Sequence, residues 1–202
     1  MEYWNTEITQ KSWNVLQKIR KNINFILIGG WATYLWAKSH KSKDIDTVVD
    51  YNELNKLKLN YNLNKNDSLK KYEIKVDDID IDVYVPFYSK LPLLENIQKY
   101  TTTIEGFNVV KLEMLLILKQ SAEIDRGFTE KGLKDRIDIL NLILKCNINF
   151  GLYRSLLYKE NLGHLKKRLV YIISTFKDTK YLDLSPREFR LKKEEIIKNL
   201  NA

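Results

Sequence analysis

Residues 25–50, FILIGGWATYLWAKSHKSKDIDTVVD, restrict the fold more than any other stretch of the chain. Phe25-Ile26-Leu27-Ile28 is an apolar run of strand length, and Gly29-Gly30 ends it. Residues 31–41 carry few helix breakers and predict a helix. Residues 44–49, Asp44-Ile45-Asp46-Thr47-Val48-Val49, predict a second strand. Strand, glycine turn, helix and acidic strand therefore follow one another within 26 residues.

Each part has a chemical use. Paired glycines at a helix start let the backbone approach an anion, with the first unbonded N–H groups pointing at it. Asp44 and Asp46 are two apart on a strand and project from one face. Carboxylates held side by side repel, and a hard divalent cation such as magnesium relieves that repulsion. A Gly-Gly pair alone is ordinarily a turn, and an Asp-x-Asp alone is ordinarily a solvated strand face. Their order, with one helix between, points to a nucleoside triphosphate held beside a metal.

The remaining first half reads as sheet and short helices. Residues 6–21 have Ile8, Trp13, Leu16 and Ile19 at helical spacing, with Asn5 or Thr6 as cap. A short helix is expected at 51–59, a loop or edge strand at 60–68, and a strand at 70–76. Asp77-Asp78 marks a turn. In residues 79–85 the side chains of Ile79, Ile81, Val83 and Val85 take one face and Asp80, Asp82 and Tyr84 the other. A third carboxylate, Asp82 or Asp80, could complete a metal shell and act as base on an attacking hydroxyl. Pro86 ends that strand, 92–99 predicts a short helix, and Glu105-Gly106-Phe107 a turn between two strands.

From residue 111 the alternation gives way to helical spacing, with helices expected at 111–126, 130–145, 150–159, 165–176 and 186–200. The fold class is thus α/β (α+β): a small mixed sheet flanked by helices over residues 1–110, then an α-helical region, 111–202, packed on it. Lys119 borders an apolar helix face; such a lysine snorkels to solvent or reaches toward a triphosphate. Asp138 has Lys134 four residues before it, the spacing of a helical ion pair. Arg126 suits either a phosphate or a helix C-terminus.

Composition bounds the partners. A net charge of +8 and a pI near 9.3 favour an anionic partner such as RNA, DNA or nucleotide. The single cysteine, Cys146, excludes an internal disulfide and reads as a buried thiol. With neither a membrane-length apolar run nor a signal-peptide pattern at the start, a cytoplasmic location is expected.

Gly29-Gly30, thirteen intervening residues and Asp44-Ile45-Asp46 resemble the signature of the polymerase-beta-like nucleotidyltransferase superfamily. Ser42-x-Asp44-x-Asp46, with Ala32 two after the second glycine, looks most like its AbiEii-type branch of abortive-infection and toxin–antitoxin enzymes. Where that branch often carries an arginine before the serine, this chain has His40, Lys41 and Lys43. The resemblance implies transfer of NMP from an NTP to an acceptor hydroxyl with release of pyrophosphate, by two-metal chemistry. By it, Gly29 and Gly30 cradle phosphates and Ser42 touches phosphate or orients the strand. Asp44, Asp46 and Asp82 hold Mg2+ (or Mn2+), with Asp82 preferred to Asp80. Lys119 grips the triphosphate, and Asp138 or Asp135 contacts the nucleotide. RNA, particularly a tRNA end, is the first-choice acceptor, with an antitoxin protein as partner; a protein or an aminoglycoside-like small molecule is the alternative. A non-catalytic nucleotide- or RNA-binding module is the reading from another class.

Overall fold

A computed structural model describes residues 6–201, so the Asn5 cap lies outside the described residues. The chain divides into two compact units, Met1–Lys111 and Leu112–Ala202.

The first unit is built on β1 (Ile26–Ile28) and β2 (Ile45–Val48), joined by helix α2 (Gly29–Ala37). Helix α1 (Thr6–Ile19) precedes them and α3 (Tyr51–Asn60) follows. Next come β3 (Asn64–Asn66), β4 (Lys71–Val76), β5 (Ile79–Tyr84), a 3-10 turn (Leu94–Tyr100), β6 (Thr101–Ile104) and β7 (Phe107–Val110). The seven strands form one sheet in the order β3-β4-β5-β2-β1-β7-β6. β2 runs antiparallel to β1 and parallel to β5, and β1 runs parallel to β7, so the sheet is mixed, as the alternation and turns lead one to expect.

Several expected boundaries moved by a residue or more. Helix α2 starts on Gly29 itself and stops at Ala37, four residues short of 41, because Lys38 turns left-handed (φ 49°) and donates its N–H to Tyr34 O. β2 omits Asp44, which lies in the bend before it. The helix expected at 92–99 is the tighter 3-10 form and begins at Leu94. The turns follow their chemistry: Asp77-Asp78 and Glu105-Gly106 both have positive φ at both positions, the geometry that joins twisted antiparallel strands.

Alternation divides the sheet's faces. Ile45, Thr47, Ile81 and Val83 lie with Leu16 and Ile19 of α1 and Leu57 of α3 around a shared apolar space. Asp46 and Asp82 therefore emerge on the opposite face. Helix α2 is apolar nearly all round, and its anchors are internal. Trp31, fully buried, donates Nε1–H to Ser12 Oγ at 2.9 Å and packs 5.0 Å from the Trp13 ring. Thr33 Oγ1 donates to Gly29 O at 3.0 Å. The Trp31 contacts fix the helix start against α1.

The second unit consists of α4 (Leu112–Arg126), α5 (Glu130–Lys145), α6 (Phe150–Lys159), α7 (His164–Thr175) and α8 (Pro186–Asn201), with a 3-10 turn at Thr179–Tyr181. The helices expected at 130–145 and 150–159 start where Thr129 and Asn149 cap them through the N–H groups of Gly132 and Leu152. Among the described residues no helix is long and apolar enough to cross a membrane.

Candidate active site

The site begins with strand register. Pairing sets Ile28 across from Asp46, Asp46 beside Asp82, and Asp82 across from Glu73. One row crossing β2, β5 and β4 therefore carries three carboxylates on one face. Gly29 follows Ile28 with φ +65°, where a side chain is strained. A Cβ built there would lie 2.0 Å from Asp46 Oδ2 and 2.7 Å from Asp46 Cβ. The Asp46 carboxylate is thus pressed against the bare backbone at the start of α2. No side chain caps α2, and its first turn contains no acidic residue. The N-terminal N–H groups and the positive end of the helix dipole face that region without an acceptor from the helix's own side chains.

Electrostatics follow from the row. Asp82 is 24% exposed at its side chain. Burial, reinforced by the like charge of Asp46, pushes its carboxyl up to about 6, against the downward pull of the Lys71 ammonium. Lys71 Nζ lies 2.6 Å from Asp82 Oδ2 and 2.9 Å from Glu73 Oε1. Burial works against the Lys71 charge, but its two carboxylate partners outweigh it and the ammonium is held above its ordinary value. Glu73 is held low by the Lys71 hydrogen bond.

The other expected residues are placed as follows. Asp44 is half-buried in the bend before β2, and Ser42 is buried two residues earlier. Gly30 is buried in the first turn of α2. Asp80 shares a face with Asp82 but is exposed and pairs loosely with Lys75 at 3.9 Å, so Asp82 is the carboxylate beside Asp46. Lys119 and Asp138 belong to the helical unit. There Lys119, 7% exposed, places Nζ 2.6 Å from Asp138 Oδ2 and 3.1 Å from Asp135 Oδ1. Arg126 joins them at 2.7 Å from Asp135 Oδ2. Lys119 therefore does not snorkel to solvent. The lysine is committed to both aspartates, and gripping a phosphate would require it to leave two buried carboxylates. Cys146 is half-buried, and burial raises its thiol to about 11.

Lys71 and Glu73 are the residues that sequence reasoning passed over. The signal was available: a two-residue turn at Asp77-Asp78 pairs Val76 with Ile79, and counting outward pairs Glu73 with Asp82.

A divalent cation can be tested against this geometry. Among the described residues no three His, Cys, Asp or Glu side chains gather into a group that could hold a metal ion. Asp44 stands outside the strand ladder and is not drawn into one cluster with Asp46 and Asp82, so the expected trio of ligands is a neighbouring pair with Asp44 nearby in sequence. The pair still fits magnesium, which binds through one or two carboxylates and takes its remaining oxygens from water and substrate phosphates. The uncapped first turn of α2, with no acidic residue of its own, offers N–H groups to those phosphates.

The sequence profile of the family described as nucleotidyltransferase of unknown function, DUF6036, matches residues 6–185. The superfamily expectation is met at this level; the finer AbiEii-type assignment is not what the profile describes. No curated protein matches the chain in sequence. Among solved structures, JHP933 from Helicobacter pylori superposes with a TM-score of 0.52 at 18% identity, over 98% of this chain and 95% of that one. A Helicobacter pylori protein provisionally described as a nucleotidyltransferase does so with a TM-score of 0.52 at 19% identity, over 96% and 95%. At these identities the likeness is one of fold.

Proposed function

The chain belongs to the DUF6036 nucleotidyltransferase family, and on that premise we propose that it transfers a nucleoside monophosphate from an NTP to an acceptor hydroxyl, with RNA as the acceptor. The observation that carries this reading is the Asp46 carboxylate held against Gly29 and beside Asp82, at the uncapped start of α2. The acceptor oxygen attacks the α-phosphorus, the bond from that phosphorus to the β-phosphate bridging oxygen breaks, and pyrophosphate leaves. The hydroxyl proton passes to Asp82, the carboxylate that lies beside Asp46 and is oriented by Lys71. Gly29, Gly30 and the first N–H groups of α2 receive phosphate oxygens, and buried Ser42 steadies the approach to β2. Asp46 and Asp82, with Asp44 beside them in sequence, would hold magnesium, which supplies charge neutralisation at the reacting phosphate. Lys71 keeps Asp82 oriented through its 2.6 Å bond and buffers the row of carboxylates. RNA as acceptor is supported by the basic charge of +8. A toxin-type role with an antitoxin partner rests on the Ser42-x-Asp44-x-Asp46 resemblance.

The test is transfer of label from each α-32P NTP to total RNA in the presence of magnesium. Labelled RNA that disappears in Asp44→Ala/Asp46→Ala supports the reading. Nucleotide binding with no pyrophosphate released from any NTP, whatever acceptor is offered, overturns it. Growth arrest on induced expression, relieved by the same substitutions, tests the toxin-type role.

A further inference from the structure

The helical unit contains a feature that the carboxylate site does not use. Glu123 of α4 is completely buried, yet two arginines from different helices meet on it. Arg136 of α5 donates Nε–H to Glu123 Oε1 at 2.7 Å, and Arg168 of α7 donates Nε–H to Oε2 at 2.7 Å and Nη2–H to Oε1 at 2.6 Å. Each guanidinium then lies over an aromatic ring at the surface. Arg136 stands 5.2 Å from the centre of Phe128, and Arg168 stands 4.9 Å from the centre of Tyr171. Phe128 is 87% exposed and Tyr171 45%.

Phe128 is exposed but not loosely held. It sits in the three-residue link between α4 and α5, and that link is tied at both ends. Thr129 Oγ1 accepts the Gly132 N–H at 3.2 Å, and Arg136 Nη2 donates to Gly127 O. Gly132 presses so close that a Cβ there would meet Gly127 O at 2.1 Å. A phenylalanine displayed to water on a fixed link gains nothing from burial, and its rigid face is pre-organised for contact.

Charge identifies what would lie on it. Residues 112–202 hold eighteen Lys and Arg against twelve Asp and Glu, so six of the chain's eight excess positive charges are in this unit. Lys131 and Lys167 are exposed on the same two helices as Arg136 and Arg168. Aromatic faces backed by guanidinium planes, on helices that also carry exposed lysines, are the components of a single-strand platform: bases stack on the rings and phosphates follow the cations.

We infer that the Phe128–Arg136–Glu123–Arg168–Tyr171 surface binds single-stranded RNA by stacking two bases on Phe128 and Tyr171. This rests on the RNA-acceptor reading for the choice of RNA over DNA, but it concerns binding and can fail separately from transfer. Glu123 fixes both guanidinium planes from beneath, so the spacing of the two stacking positions is set before RNA arrives.

The experiment is fluorescence anisotropy of the full chain with a labelled twelve-nucleotide single-stranded RNA, in EDTA and without NTP, across a salt series. Phe128→Ala and Tyr171→Ala are expected to weaken binding about tenfold each without changing the salt slope, since no charge is lost. Lys131→Ala/Lys167→Ala is expected to flatten the slope by roughly 1.4, about 0.7 per phosphate contact. Circular dichroism and the melting temperature check that each variant folds; if one does not, Phe128→Leu and Tyr171→Leu keep the bulk and remove the aromatic face. Affinity unchanged in Phe128→Ala/Tyr171→Ala, no binding by the unmodified chain at low salt, or equal affinity for duplex RNA overturns the inference. Equal affinity for DNA of the same sequence overturns the assignment to RNA. Transfer activity is read on a separate sample, so RNA binding without transfer leaves this surface standing while the function proposal fails, and transfer with unchanged RNA affinity in the aromatic variants does the reverse.

Discussion

Gly29→Ala tests whether the bend and the carboxylate are built as one piece. The substitution has two costs that can be separated. Holding a non-glycine residue at φ +65° costs about 1 kcal/mol. The added methyl would also lie 2.0 Å from Asp46 Oδ2, 2.6 Å from Cγ and 2.7 Å from Cβ. Rotating the carboxylate away clears the first two contacts but not the third, so the backbone of α2 or β2 must also move, at roughly 1–3 kcal/mol for overpacking. The total is about 2–4 kcal/mol. Gly106→Ala in the same unit is the control: φ is +77°, and the nearest atom is the end of the flexible Arg20 side chain at 3.3 Å. It should cost only the conformational part, about 1 kcal/mol. Urea denaturation of both variants and of Gly29→Ala/Asp46→Ala measures the difference. The Gly29→Ala cost should shrink by about 1 kcal/mol or more when Asp46 is already alanine, because two of the three close atoms are gone. If Gly29→Ala costs no more than Gly106→Ala, or the double variant shows no coupling, the close approach is not real and the site argument loses its geometric basis.

Other expectations follow from the same geometry. Asp82 titrates near 6 in the folded chain against 3.8 when unperturbed, so the folded state holds a proton that the unfolded state has released between those values. Its contribution is fully present below pH 3.8 and is lost as pH rises through about 6, by roughly 3 kcal/mol at most. Stability curves of the unmodified chain and Asp82→Asn should therefore diverge between pH 4 and 7 in favour of the variant; parallel curves would contradict the shift. Lys119→Met leaves Asp135 and Asp138 buried with one cation fewer and should destabilise the helical unit by about 3–5 kcal/mol, measured by denaturation followed at helix ellipticity. A loss under 1 kcal/mol would mean that the ion cluster is not buried in solution. Magnesium at about a hundred times its dissociation constant should stabilise the chain by about 2.7 kcal/mol, and Asp46→Asn/Asp82→Asn should abolish the thermal shift. A shift retained in the double variant would put the cation elsewhere.

Residue type and period were enough to specify the local elements. Apolar run, glycine pair, helix and acidic strand are set by residue type and period over short distances, and β1, α2 and β2 formed there with ends displaced by a few residues. Alternation over Ile79–Tyr84 put Asp82 on a polar face, and helical spacing marked α5 and α6. Which carboxylates are neighbours came from strand pairing between distant segments. Parallel pairing of β2 with β5 sets Asp46 beside Asp82, across 35 residues of intervening chain, and leaves Asp80 exposed and Asp44 outside the ladder. It also brought in Lys71 and Glu73, gave Lys119 to Asp135 and Asp138, and joined Arg136 to Arg168 through Glu123. Residue periodicity states which face a side chain takes within its own element. Which charge meets which is fixed by how distant elements pack, and a buried charge is tolerated only where that packing brings it a partner.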